Sequence, residues 1–258
     1  MGLSPALKWA GGKRWLLPTL KPLWQPFAGR RLVEPFVGGM GVALGLNPAT
    51  ALLSDINEHV INFYQWLQLG LVIEADMLNE ETAFYAARAN FNALVRAKKH
   101  LTKEAAGLFY YLNRTCFNGL CRFNSKNEFN VPFGRYKKIN YTRNFTHFGN
   151  TLRRWEIQQQ TFDAAELGSD DFLYVDPPYD TSFTQYAKEG FTWADQEKLA
   201  LWLCLHDLPM VVTNQATPRV LELYSDLGFH IKTLLAPRRI ASSGDRTPTL
   251  EMLATRNI

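Results

Sequence analysis

The sequence predicts an α/β fold, with a mixed, mostly parallel sheet, helices on both faces and one inserted subdomain. Three observations carry this expectation. Short apolar runs alternate with longer stretches of helical period along most of the chain; the alternation fails between about residues 75 and 155; and the interrupting region concentrates positive charge.

Taken in order, "RLVEPF" (31–36) reads as a short buried strand ending in the glycine-rich "VGGMG", and "ALLSD" (51–55) reads as a second. The following "INEHVINFYQWLQL" has apolar residues at helical spacing, which makes a right-handed strand–helix–strand unit the natural topology. "DFLYVD" (171–176), "MVVTN" (210–214), "FHIKTLL" (229–235) and "TLEMLAT" (249–255) complete the strands, with helical stretches between them. Residues 81–113 look helical, with Arg88, Arg96, Lys98, Lys99 and Lys103 available to an outer face. In "FNGLCRFNSKNEFNVPFGRYKK", Asn-Gly and Ser-Lys-Asn turn signals separate aromatic, strand-like pieces, which predicts a β-hairpin. The expected division is therefore a main domain of residues 1–74 and 156–258 with a nucleic-acid-reading subdomain, 75–155, set into it.

At 258 residues, 47% hydrophobic and 20% charged, the chain can bury a substantial core. No run approaches the 18 or so apolar residues of a membrane span, and no secretory signal pattern opens the chain, so a cytoplasmic protein is expected. Cys116, Cys121 and Cys204 are odd in number and form no C-x-x-C pair; neither a disulfide framework nor a metal site is expected. The net charge of +4 conceals a strong asymmetry. From Arg88 to Arg154, 14 basic residues face only Glu104 and Glu128, a net +12 that leaves −8 on the remainder. A solvated helical face mixes both signs, so this block reads as a polyanion-binding surface.

Ligands of open α/β sheets bind beyond the carboxyl ends of the strands. Two motifs fall there. Gly38, Gly39 and Gly41 let the backbone approach a ligand closely, and Asp55, roughly 20 residues on at the end of the next strand, is placed to accept from ribose hydroxyls. The turn is not G-x-G-x-x-G and no basic residue follows it to hold a pyrophosphate, which suggests a nucleoside without phosphates. Glu34, just ahead of the turn, could face an amino or sulfonium group. "LKWAGGK" (7–13) adds Trp9, to cover an apolar or cationic ligand, and Lys13, to meet a carboxylate; a plain helix start with a surface lysine is the competing reading. In "VDPPY", Asp176 and the carbonyl of Pro177 are acceptors suited to an amine whose lone pair is delocalised into a ring. Pro177 and Pro178 stiffen the corner, and Tyr179 offers a flat face to an extruded base.

Together, "LKWAGGK", "VEPFVGGMG", "SDIN", "NRTCFNGLCRFN", "EFNVPFGRYKK" and "VDPPY" resemble, in order and over nearly the whole chain, the D12 class of adenine-N6 DNA methyltransferases, and within it the Dam type. The resemblance implies a Rossmann-like S-adenosylmethionine-dependent fold, double-stranded DNA as partner, and methylation of the adenine of GATC. It implies a donor site at Trp9, Lys13, Glu34, Phe36, Gly38, Asp55 and Asp176, and a catalytic motif at Asp176, Pro177, Pro178 and Tyr179. It further implies base reading by Lys8, Leu120, Arg122 and Pro132, a wedge at Phe117, and DNA contacts at Asn118, Asn124, Arg135, Lys137 and Lys138. A monomer, working alone or beside a cognate restriction endonuclease, is expected. The loop "DTSFTQYAKEGF" (180–191) is shorter than in many Dam-type enzymes, "NRTC" departs from a more aromatic stretch, and "PRRIASSGDR" (237–246) resembles a phosphate-touching segment. An RNA-adenine or cytosine-N4 enzyme and a catalytically silent DNA-binding module are the rivals.

Overall fold

The apolar runs assemble into one sheet. The computed structural model describes residues 3–180, 190–237 and 247–258. Within them β1 (Arg31–Glu34), β2 (Ala51–Asp55), β3 (Trp155–Gln159), β4 (Asp171–Val175), β5 (Met210–Gln215), β6 (His230–Ala236) and β7 (Thr249–Arg256) line up in the order β3-β2-β1-β4-β5-β7-β6. The five strands from β3 to β5 are parallel, and β7 runs antiparallel to both β5 and β6. This is the mixed, mostly parallel α/β sheet expected.

Strands buried on both faces need apolar residues at successive positions, and these have them: every residue of β4 is buried. Because side chains alternate across a strand, Leu32 and Phe172 join one apolar cluster while their neighbours Val33 and Leu173 join the other. Helices α1 (Leu17–Trp24), α2 (Gly41–Leu46) and α3 (Glu58–Gln68) cover the first face; α7 (Trp193–Cys204) and α8 (Pro218–Asp226) cover the second. Asn57 caps α3, its Oδ1 accepting from His59 N at 3.1 Å and Val60 N at 3.3 Å, which fixes how the chain leaves β2.

The inserted region is helical first, as expected, with α4 (Glu81–Arg96) and α5 (Lys103–Thr115), and it closes with the short α6 (Thr146–Leu152). It has no separate core. Phe84, Phe91, Phe109 and Phe129 belong to the same cluster as Phe63 and Phe172, so residues 75–155 pack continuously onto the first face of the sheet.

Two expectations need correction. The sequence reading ends the insertion at 155 and has no strand at 155–159; that stretch is β3, paired with β2 from Ala51↔Trp155 to Asp55↔Gln159. Only Trp155 and Ile157 are buried there, and Glu156, Gln158 and Gln159 keep this edge polar. The hairpin at 116–134 is an antiparallel excursion, not a pair of regular strands. It is held by isolated bridges, Cys116↔Phe133 and Phe123↔Phe129, and by links such as Asn124 N to Glu128 O at 2.9 Å. Its side chains pack into aromatic neighbours instead of across a ladder: Phe123 stacks on His59 at 4.6 Å. No helix among the described residues is long and apolar enough to cross a membrane.

Candidate active site at the switch point

The chain winds outward from β1 through β2 to β3, then crosses back to place β4 on the other side of β1. The crevice between β1 and β4 is thus the topological switch point, where open sheets hold their ligands. The glycine turn leaves β1 there, and Asp176 to Tyr179 leave β4 there.

Gly38 adopts φ +43°, and its N–H donates to Asp55 Oδ2 at 3.0 Å, while Asp55 Oδ1 accepts from Asn57 N at 3.0 Å. Tyr64, buried on α3, donates its hydroxyl to Gly38 O at 2.6 Å. The turn is therefore fixed from both sides. Burial raises the Asp55 carboxyl above its ordinary range in spite of these N–H donors. The structure adds a second demand for glycine: a Cβ on Gly38 would lie 2.6 Å from Trp9 Nε1, and one on Gly39 would lie 2.6 Å from Trp9 Cβ. The indole of Trp9 lies against the turn itself.

Lys13 is buried, 4% exposed, so its charge requires partners. Its Nζ lies 3.1 Å from Asp176 Oδ1 and 3.7 Å from Glu251 Oε2, donates to Gly11 O at 2.8 Å, and sits 4.6 Å from the centre of the Tyr179 ring. The sequence reading has Lys13 meeting a ligand carboxylate; here it meets two carboxylates of the protein. Glu251, on β7, went unnoticed in the sequence because one acid in "TLEMLAT" looks incidental. Burial raises its carboxyl, with Lys13 opposing the shift. Asp176 Oδ1 also accepts from Thr213 Oγ1 at 2.8 Å, and Thr213 Oγ1 is 3.2 Å from the Tyr174 hydroxyl.

Glu34 is 2% exposed, and its Oε1 has no hydrogen-bond partner among the described residues. Burial, and then the negative charge of Asp176, hold its carboxyl well above the usual range. Glu34 is thus a buried acid at the carboxyl end of β1 with one oxygen uncommitted. Phe36 packs against Phe162 and Phe191, each at 5.7 Å, and so lines an aromatic wall beside the turn. Neither Phe162 nor Phe191 was singled out in the sequence.

The segment 8–13 ties this crevice to the inserted region. Lys8 N donates to Asn113 Oδ1 at 2.8 Å, and Asn113 Nδ2 donates to Lys8 O at 2.9 Å. The Lys8 ammonium lies 3.6 Å from the centre of the Tyr136 ring and donates to Arg114 O at 2.9 Å. Burial and the charge of Arg114 lower it to about 8.

Of the remaining expected contact residues, Phe117 is 42% exposed, unusual for a phenylalanine with a large core on offer, and Pro132, whose carbonyl accepts from Phe117 N at 2.8 Å, is exposed beside it. Leu120 is half-buried against the core. Arg122 is exposed and donates to Asn130 Oδ1 at 2.8 Å. Asn124 organises the tip, its Oδ1 accepting from Lys126 N and Glu128 N. Asn118 takes φ +52° in the turn after Phe117. Arg135 faces Glu81 at 3.4 Å, and Lys137 and Lys138 are exposed. Burial pushes the Cys116 thiol up to about 12, so it is protonated and unreactive. Most of 180–191 and 237–246 lies outside the described residues.

A sequence profile for the D12 class N6 adenine-specific DNA methyltransferases matches residues 9–240. The chain is 34% identical over 266 residues to the Retron Ec67 DNA adenine methylase of Escherichia coli, covering 98% of this chain and 91% of that protein. It is 32% identical over 276 residues to the Type II methyltransferase M1.LlaDCHI of Lactococcus lactis subsp. cremoris, covering 99% and 96%. Against the DNA N-6-adenine-methyltransferase of Escherichia phage P1 it is 34% identical over 256 residues, 92% of this chain, and spans 33% of that longer protein.

Proposed function

The chain belongs to the D12 class of N6-adenine-specific DNA methyltransferases, and from that premise we propose that it transfers a methyl group from S-adenosylmethionine to N6 of an adenine swung out of duplex DNA, within GATC, acting as a monomer. The observation that carries this reading is the placement of Asp176: at the carboxyl end of β4, beside the glycine turn of β1, with Thr213 and Lys13 both on its Oδ1.

The residues suit the donor. Glu34, with its orphan oxygen, and Asp176 offer negative charge to a cationic centre, and each oxygen of Asp55 keeps a lone pair for a ribose hydroxyl. Phe36 offers an apolar face to the nucleoside, and Trp9 closes the turn. When bound, S-adenosylmethionine supplies a methyl group already activated by its sulfonium. The chain's own residues do the rest. Asp176 accepts from the exocyclic N–H of the adenine and receives the proton that nitrogen sheds, the Pro177 carbonyl accepts the second N–H, and Tyr179 stacks on the ring. This reading requires no metal and no covalent enzyme intermediate.

On the DNA side, Lys8, Leu120, Arg122 and Pro132 read bases, Phe117 wedges into the stack, and Asn118, Asn124, Arg135, Lys137 and Lys138 position the duplex. Two kinds of contact predict two kinds of loss. Arg122→Ala is expected to relax discrimination at one base pair by about 1–3 kcal/mol, whereas Lys137→Ala or Lys138→Ala weakens every sequence alike and flattens the salt dependence. Competition with single-mismatch duplexes at several salt concentrations separates them; equal losses on cognate and scrambled DNA for Arg122→Ala would contradict the assignment.

The whole reading is tested by incubating the purified chain with tritiated donor and duplexes with and without GATC, then digesting and identifying the labelled nucleoside. N6-methyladenine confined to GATC is expected. Label in cytosine, label in RNA alone, or no transfer would overturn it. Resistance of DNA from an expressing host to an endonuclease blocked by that methyl group reads methylation of the site in the cell.

A further inference from the structure

Prolines make the corner at 176–179 stiff in one torsion and remove two of its backbone donors. Pro177 and Pro178 have no N–H to donate, and the ring fixes φ but not ψ. The direction in which Tyr179 leaves the corner is set by ψ of Pro178, and that torsion is read out by where the Pro178 carbonyl points.

That carbonyl is held. Gln196 Nε2, from α7, donates to Pro178 O at 2.7 Å, and Gln196 Oε1 accepts from Asn214 Nδ2, on β5, at 2.9 Å. Both amides are buried, at 1% and 0% exposure. The chain of bonds has one direction. Asn214 Oδ1 accepts from Gln215 N at 2.8 Å, so Asn214 meets Gln196 as a donor; Gln196 must then turn its oxygen to Asn214 and its NH2 to Pro178. The neighbouring β5 residue, Thr213, meanwhile holds Asp176. Adjacent positions of one strand point to opposite faces, and these two reach the two ends of the corner.

We infer that Gln196 and Asn214 are positioning residues for methyl transfer: Asn214 sets the orientation of the Gln196 amide, and Gln196 fixes the Pro178 carbonyl and hence the stacking direction of Tyr179 relative to Asp176. The inference rests on the function proposed above. A displacement of about 1 Å at a reacting centre can cost on the order of 100-fold in rate, so the network acts on the chemical step and not on capture of the donor.

Two variants test it. Gln196→Met keeps length and apolar bulk but removes the donor. Asn214→Leu has nearly the same bulk, brings no charge into the buried site and removes the N–H that orients Gln196, so nothing there holds the Gln196 NH2 toward the Pro178 carbonyl. Single-turnover methyl transfer is measured with saturating donor on the duplex that the parent chain methylates, alongside equilibrium dialysis of labelled donor and thermal unfolding. Each variant is expected to lose about 10- to 100-fold in transfer rate with donor Kd within about twofold, and the double variant is expected to be no slower than the worse single one. Rates near the parent's, losses that follow donor affinity or unfolding, or fully additive losses would overturn the inference. A parent that transfers no methyl group sinks the proposed function and this inference with it; an active parent with indifferent variants sinks the inference alone.

Discussion

Asp176→Ala is expected to lower the rate of methyl transfer by about 1,000-fold or more, the scale on which a positioned proton acceptor and a preorganised polar contact act together. The adenine amine is a weak nucleophile, and Asp176 is the group at the switch point that can draw density back onto its nitrogen and take the proton it loses. The substitution has a second consequence, because Asp176 is also the nearer of the two carboxylates on buried Lys13, at 3.1 Å against 3.7 Å for Glu251. Removing it leaves Lys13 with one partner, and a stability loss would accompany the catalytic one. Asp176→Asn separates the two. It retains the shape and an oxygen that can accept from both Thr213 and Lys13 while giving up the charge, so it is expected to lose less stability than Asp176→Ala while still losing most of the rate. Single-turnover kinetics with donor-binding controls read both variants. If Asp176→Ala stays within about tenfold of the parent, Asp176 is not the acceptor and the proposed chemistry fails.

The sequence shows the parts of the site that local period and composition can carry. β1, β2 and β4 carry apolar runs at their centres, and the glycine turn and the Asp-Pro-Pro-Tyr corner interrupt the chain abruptly after β1 and β4, so the switch point is legible in the sequence. β3 is not, since an edge strand with two buried residues and three polar ones, directly after Arg153 and Arg154, carries no apolar run to mark it. The aromatic pieces around Phe123 and Phe129 announce an antiparallel excursion, but a pattern of alternation cannot tell a ladder from two bridges packed on His59 and Phe91. Partners distant in sequence stayed hidden for a different reason. Glu251 lies on a strand that β5 and β6 flank, and nothing at position 251 signals the lysine 238 residues earlier that it faces. Gln196 and Asn214 are ordinary amides on a helix and a strand; only the fold brings them to Pro178. Lys13 in "LKWAGGK" suggests a group that meets a ligand's carboxylate, while the two protein carboxylates that lie against it, Asp176 and Glu251, are a tertiary fact.

Glu34→Gln is expected to weaken donor binding by about 10- to 100-fold near pH 8, the scale of removing one member of a buried charge pair, and to change how both binding and stability depend on pH. The sign follows from the direction of the shift. Burial first, and the charge of Asp176 second, raise the Glu34 carboxyl well above its unfolded value of about 4.3. Between those two values the folded chain without donor holds a proton that the unfolded chain has released. The contribution of Glu34 to stability is therefore complete below about pH 4.3 and falls, by up to about 1.4 kcal/mol per pH unit, until the folded value is passed. Glu34→Gln cannot release a proton in either state, so it should gain on the parent as pH rises through that window. A cation beside Glu34 favours the carboxylate and expels the proton on binding. Parent affinity for the donor should accordingly climb with pH, by at most about tenfold per unit, while the variant's stays flat and low. Thermal unfolding with and without S-adenosylmethionine across that window, compared between the two chains, isolates Glu34 from Asp55 and Glu251, which burial also raises and which both chains share. Parallel curves would mean that Glu34 already has a partner for its charge and that the crevice is not the cation receptor its orphan oxygen implies.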